Sequence, residues 1–435
     1  MCPFRLLPLI PLAFAAACID FPPPPQALEF DAASDDVDLG GDLPSPVEDA
    51  PLDMDAPADA DDEEIIGEDV AEADAPEVED APICDAQCED RGCGPDGCGG
   101  KCGVCADGQI CLEGACAPTP NPWEDLLDDR VGFGGQVTGG AGGPLCLVTR
   151  VEDDMEAGSL RGCLQTPSPV WIAFDLPVSA ARITLGSRLE IGSNTTLDGR
   201  GHEITLAGKG VSLIDRQNVI LHNLKIEDGV ALPPEIEEDA IHVEGSVGVW
   251  IDRVSVRAFP GGALDITEAA TDITVSRCRF ADHALVMLIG NSNVTPGDGV
   301  IRVTLHHNLF DRTGQRHPRL RFGRVHAFNN VLIGWTDFGM SASMGGQLRS
   351  ERNVFEAAVN IFAVSPGHPN DPLPGLVDSI EDLMLGGAVA TERLPAQVFD
   401  PGRSYLYAPE VADEGLRARV IEEAGWRPVP FPGQP

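Results

Sequence analysis

The chain has 435 residues, with 29 Lys and Arg against 70 Asp and Glu and a formal net charge of −41. A charge of that size and sign excludes a protein that holds nucleic acid by bulk attraction. The length allows one large domain with attachments or two to three ordinary ones, and 13 cysteines speak against a reducing compartment.

Residues 1–17 read as an export signal. Arg5 supplies a short positive start, and Leu6 to Ala17 form an apolar run, interrupted by proline and too short to span a membrane. The small residues Ala15-Ala16-Ala17 before Cys18 resemble a bacterial lipobox, which implies cleavage before Cys18 and its lipidation; a plain cleaved secretory peptide is the alternative. Residues 18–83 follow as an acidic linker rich in Pro, Ala and Asp. No Lys or Arg occurs between Arg5 and Arg91. Such a stretch buries too little apolar surface to offset its ordering entropy, so it is predicted to be a disordered, self-repelling spacer. An acidic binding tail is the other reading.

Within residues 84–118 fall Cys84, Cys88, Cys93, Cys98, Cys102, Cys105, Cys111 and Cys116. An even, dense, Gly-spaced set predicts a small disulfide module whose connectivity stays open. Zinc is the competing reading of Cys102-Gly103-Val104-Cys105. Further on, Cys146 and Cys163 flank one segment and can pair, and Cys278 lies in a strand pattern as a buried thiol.

From about Cys146 short alternating runs recur, among them 219–226, 249–256, 273–280, 303–310, 325–332 and 347–355. One column through them reads Leu224, Val254, Cys278, Asn308, Asn330, Asn353, at spacings of a solenoid coil. The three asparagines predict a ladder at a bend, each amide bonding to the next coil. A β-sandwich explains the alternation but not a column held over six segments. The tail departs from this pattern, with a helix predicted over 412–425 that caps or flanks the solenoid. Between two of the repeats lies Arg316-His317-Pro318-Arg319-Leu320-Arg321. A basic cluster on stacked strands, in a chain with no nucleic-acid motif, points to an acidic polysaccharide.

These runs support a family. Asp239-Ala240-Ile241, Val249-Trp250-Ile251-Asp252, Leu264-Asp265-Ile266-Thr267 and Val286-Met287-Leu288-Ile289-Gly290 resemble pectate lyase family 1. So do Val303-Thr304-Leu305-His306-His307-Asn308, Gln315 to Gly323, and Val325-His326-Ala327-Phe328-Asn329-Asn330. The resemblance covers residues 125–430. It implies an all-β domain, a right-handed parallel β-helix, and calcium-assisted β-elimination of polygalacturonate or pectin. The protein implied is a monomer, secreted or carried as a bacterial outer-membrane lipoprotein, with no nucleic-acid partner and no membrane contact except through its anchor.

That reaction requires a base for the proton α to the uronic carboxylate, a cation for the enolate-like charge, and a leaving glycosidic oxygen. By resemblance, Asp239 and Asp265 match calcium-ligand positions and Glu237 a less uniform one, a carboxylate set that suits Ca2+. Glu237 and Glu238 read otherwise as solvated loop charges. Arg316 matches the position of the family's base and Arg321 that of a substrate-binding arginine; Arg319 and His317 flank them as further substrate-binding candidates. A guanidinium is protonated at ordinary pH, so a strongly alkaline optimum is expected; an electrostatic role for Arg316 is the alternative.

Three family positions are not kept. Gly261 stands four residues before Asp265 where an acid is usual, Leu285 replaces a lysine, and Arg253 replaces a histidine. Fewer carboxylates predict weaker calcium binding. Two other readings stay open: a pectin lyase-like enzyme in which Arg253 or Arg257 replaces the metal, and a non-catalytic carbohydrate-binding or adhesion lipoprotein on the same fold. A glycoside hydrolase would need clustered catalytic carboxylates, and residues 146–360 show no Asp-Asp pair with a nearby Gly-His-Gly.

Overall fold

A two-residue bend recurs through the chain and sets its architecture. Its first residue is left-handed in successive coils: Asn223, Arg253, Arg277, His307, Asn329 and Arg352 all have φ between 50° and 57°. The residue after each is a member of the buried column predicted from sequence, Leu224, Val254, Cys278, Asn308, Asn330 and Asn353, each at most 1% exposed. The left-handed residue turns the chain sharply outward and the next one points in. The computed structural model describes residues 88, 92–93, 102–105, 109–112, 115–118, 121–230, 238–367 and 371–432.

Among these residues each coil contributes one strand to each of three parallel sheets, one of ten strands and two of nine. This is a parallel β-helix. The register stacks like on like: Val219, Val249, Ile273, Val303, Val325, Leu348 and Val377 are successive partners, and all are fully buried. Phe280 stacks on Phe310 with ring centroids 5.2 Å apart. No coil can bury these side chains alone, so the core exists only through stacking.

The predicted asparagine ladder is present. Asn308 Oδ1 accepts from the Cys278 amide, Asn330 Oδ1 from the Asn308 amide, and Asn353 Oδ1 from the Asn330 amide. Asp382 ends the ladder by accepting from the Asn353 amide at 2.7 Å. The buried amides of Cys278, Asn308, Asn330 and Asn353 thus each find a partner in the next coil.

The ends and two of the outer faces are covered. The short helix Leu160–Leu164 places Leu160 and Cys163 in the core, and Cys163 is bonded to Cys146. Residues 121–144 run along the ten-stranded sheet, where Leu126 and Val137 pack on Trp171, Ile220 and Trp250. The helix Glu414–Glu423 starts with the Asp413 side chain accepting from the Leu416 amide. It flanks the coils through Leu416, Val420 and Ala424 against Leu309, Val331 and Val354. The remaining sheet, from Leu189–Glu190 to Val389–Ala390, carries the candidate site.

In the cysteine-rich segment, Gln109–Leu112 pairs antiparallel with Ala115–Pro118. Cys102 is bonded to Cys88 and Cys105 to Cys116, so the pair read as possible zinc ligands enters two different disulfides. The export signal, Cys18 and the linker lie outside the described residues, as does Glu237. No helix among the described residues is long and apolar enough to cross a membrane.

Candidate functional site

Alternation along the strands of the site sheet sends successive residues in turn to the core and outward. In Ile241–Glu244, Ile241 and Val243 are buried while His242 and Glu244 face out; in Gly262–Thr267, Leu264 and Ile266 are buried and Asp265 faces out. Parallel register aligns the outward residues into one column, His242, Asp265, Leu288, Arg319 and Ser341. A second outward position pairs Arg321 with Ser343. Asp239 and Arg316 precede Ile241–Glu244 and Arg319–Arg321, at the same edge of this face.

The two aspartates converge. A Cβ built on Gly262 would lie 2.5 Å from Asp265 Oδ1 and 3.0 Å from Asp239 Oδ1, so a side chain there would require the carboxylates to shift. The Gly262 amide donates to Asp239 Oδ1 at 2.6 Å. Asp265 Oδ1 is buried and has no hydrogen-bond partner among the described residues. Burial, followed by the Asp239 charge, pushes the Asp265 carboxyl up to about 7, against the pull of Arg316 and His242. Two crowded carboxylates, one with an orphaned oxygen, are a hard-oxygen donor set that fits calcium.

His242 bridges two acids, with Nδ1 3.1 Å from Asp239 Oδ2 and Nε2 3.1 Å from Glu244 Oε2. The hydrogen bond to Asp239 raises its pKa in spite of burial. Beside the aspartates, Glu238 is fully buried. Its Oε1 accepts from Arg188 Nε at 2.9 Å and from the Gly210 amide at 3.1 Å. Glu238 is therefore not the solvated loop charge that the sequence suggested.

The arginines occupy the far end of the face. Arg316, at φ 70°, is near enough for its charge to act on Asp265. Arg321 is nine-tenths buried and tied down: Nε donates to Asn293 Oδ1 at 2.9 Å, and Nη1 to the carbonyls of Gly290 and Asn291, each at 3.1 Å. Burial first, then Arg319, lowers its pKa. Arg319 donates from Nη2 to Asp371 Oδ1 at 2.7 Å.

Some expectations require correction. His317 does not face this surface. It is fully buried, with Nε2 2.7 Å from Thr313 Oγ1 and Nδ1 3.0 Å from the Phe338 carbonyl, and burial pushes its pKa down to about 4. It locks the turn before Arg319. The proposed replacements for the metal are elsewhere too. Arg253 donates to the Glu423 carbonyl at the terminal helix, and Arg257 pairs with Glu227 and Asp228 on another sheet. At Gly261 a Cβ would lie 2.7 Å from Asp239 Oδ1, so an acid there requires Asp239 to move. Leu285, in place of the lysine, bridges to Gln315 at the edge of this sheet.

Three residues of the site were missed by sequence reasoning. His242 had a signal, since it shares a face with Glu244 at period two and follows Asp239 by three. Arg188 and Asp371 had none, being 50 and 52 residues from the partners they contact.

Comparison with known proteins gives one consistent result. The family model described as pectate lyase matches residues 181–372. Pectate lyase 1 of Chamaecyparis obtusa is 34% identical over 253 residues, which span 53% of this chain and 67% of that protein. Probable pectate lyase P56 of Solanum lycopersicum is 34% identical over 254 residues, 54% of this chain and 63% of its own length; the chain thus spans a little under two thirds of that relative. Among solved structures, jun a 1, the major allergen from cedar pollen, superposes with a TM-score of 0.61 at 27% identity, over 69% of this chain and 94% of that one. Pectate lyase II of Xanthomonas campestris superposes with a TM-score of 0.51 at 21% identity, over 68% and 98%, a likeness of fold.

Proposed function

Because the chain belongs to the pectate lyase family, we propose that it is an exported polysaccharide lyase that cleaves polygalacturonate by calcium-assisted β-elimination. The observation that carries this reading is the arrangement of Asp239, Asp265, Arg316 and Arg321 on one outward face, with the Arg316 charge acting on Asp265. Asp239 and Asp265, with Glu237 as a third carboxylate, would hold calcium, which when bound would supply positive charge to offset the enolate-like charge on the substrate.

The chain's own groups do the rest. Gly262 keeps the two carboxylates together, and His242 holds Asp239 in place. Arg316 takes the proton α to the carboxylate; the C–H electron pair becomes the new C4–C5 double bond, and the C4–O bond breaks to release the glycosidic oxygen, which takes a proton from water. A protonated guanidinium cannot do this, so the reading carries an alkaline optimum. Arg321 and Arg319 donate to substrate oxygens. The disulfides fit an oxidising compartment. Export as a monomeric bacterial lipoprotein, lipidated at Cys18 and held off the membrane by the acidic linker, completes the reading.

The test is incubation of the full chain with polygalacturonate and calcium at alkaline pH, following the near-ultraviolet absorbance of unsaturated uronides. Arg316→Ala is expected to lower the rate by about 10²–10⁴-fold. A second reading, a non-catalytic carbohydrate-binding protein, is favoured by Gly261 and Leu285. Binding of the polymer with no absorbance rise on any uronan supports that reading and ends the lyase proposal.

A further inference from the structure

A carboxylate already lies at the arginine end of the site face, and it belongs to the chain. Asp371 Oδ1 accepts from Arg319 Nη2 at 2.7 Å and stands 3.6 Å from Arg321 Nε, while Ser343 Oγ donates to Oδ2 at 2.6 Å. The Asp371 side chain has no solvent-exposed surface. Burial alone would push its pKa up, but the hydrogen bonds from Arg319 and Ser343 more than offset this and hold it below the ordinary range. Two guanidinium groups and a hydroxyl are the contacts that a free uronate carboxylate seeks.

These donors converge because of the register, which pairs Arg319 with Ser341 and Arg321 with Ser343. Arg321 has little capacity left, since Asn293 and the carbonyls of Gly290 and Asn291 take the same guanidinium. The neighbour of Arg319 in the column toward Asp265 is the apolar Leu288. A carboxylate brought here must either share the arginines with Asp371 and be repelled by it, or displace a shielded charge.

We propose that Asp371 is a specificity-determining residue: it is a resident anion between Arg319, Arg321 and Ser343, so this part of the face takes a galacturonosyl residue whose carboxyl is neutral, as in a methyl ester. The inference rests on the polysaccharide reading above and deepens it. A methyl ester carries no charge to oppose Asp371, keeps a carbonyl oxygen as acceptor, and brings an apolar methyl group to the Leu288 side. Calcium held by Asp239 and Asp265 would still call for a free carboxylate at the other end, so the substrate class is a partially methyl-esterified polygalacturonate.

The experiment is calorimetric titration of the full chain with trigalacturonate and with a counterpart methyl-esterified on one residue and free on the others, at low ionic strength with calcium, for wild type, Asp371→Asn and Asp371→Ser. Both variants are first checked for an unchanged melting transition. Wild type is expected to bind the ester more tightly. Each variant is expected to bind the free acid about tenfold more tightly, with less than about a twofold change for the ester. Unchanged affinity for the free acid, or equal weakening for both ligands, overturns the inference. If neither ligand binds any of the three proteins, the polysaccharide reading fails and this inference with it. If the affinities shift as expected without cleavage, the lyase fails and the role of Asp371 stands.

Discussion

Asp265 keeps its Oδ1 buried beside the carboxylate of Asp239, with no hydrogen bond to that oxygen among the described residues. Its carboxyl, pushed up to about 7 by burial and by Asp239, is above the ordinary value of about 3.9. An acid raised in this way costs stability where it is ionised in both folded and unfolded states, above about pH 7. The cost fades as pH falls through 7, when the folded state takes up a proton, and is gone below about pH 4. Asp265→Asn is therefore expected to raise the melting temperature of the metal-free protein by about 2–4 °C at pH 8. No difference is expected at pH 4. A gain that does not depend on pH would show that the carboxylate is not the source of the strain.

The same crowding predicts a pH dependence for the proposed calcium binding. Calcium requires the ionised carboxylate, so below about pH 7 a proton competes for Asp265, and affinity is expected to fall by about tenfold per pH unit. His242, whose pKa is raised by Asp239, adds positive charge in the same direction. Titration calorimetry at pH 6 and pH 8 checks this, and equal affinities would contradict the assignment of Asp265 as a ligand.

The asparagine ladder is expected to carry stability and not activity. Asn330 donates to the Leu305 and Phe328 carbonyls and to Asn353 Oδ1, and accepts from Asn308. Asn330→Ala leaves several of these buried groups without partners, at a cost of about 3 kcal/mol. Chemical denaturation measures the loss, while substrate binding at 25 °C is expected to be unchanged.

Reduction tests the N-terminal closure of the core. Cys146 and Cys163 are 17 residues apart, and removal of the bond by Cys146→Ser with Cys163→Ser is expected to cost about 3 kcal/mol. The unfolding free energy of the wild type should fall by a similar amount in dithiothreitol. A wild type insensitive to reductant would mean that the short helix Leu160–Leu164 holds that end without the bond.

The repeat was legible because its cause is local. A bend needs one left-handed residue followed by one that points inward, and that need recurs at every coil, so Asn308, Asn330 and Asn353 align in the sequence as they do in space. The acids and arginines of the site were legible for a related reason. Asp265, Arg319 and Arg321 each lie on a strand of the same sheet, where alternation sends them to one face.

His317 was misplaced because sequence adjacency to Arg316 and Arg319 says nothing of which way a turn residue points. Burial against Phe310 and a bond to the Phe338 carbonyl decide that. Glu238 was misplaced because its partner Arg188 lies two coils earlier, where no local pattern connects them.

What the sequence by itself determined is the coil: its period, its bends, its inward stack and the outward position of the charged residues, all consequences of backbone sterics and side-chain alternation over a few residues. Only the tertiary structure decided which charges meet. The approach of Asp371 to Arg319 and Arg321, and the shared space of Asp239 and Asp265 over Gly262, depend on the stacking of coils and the path of one loop. Electrostatic contact is set by distance in space, and chain separation does not encode it.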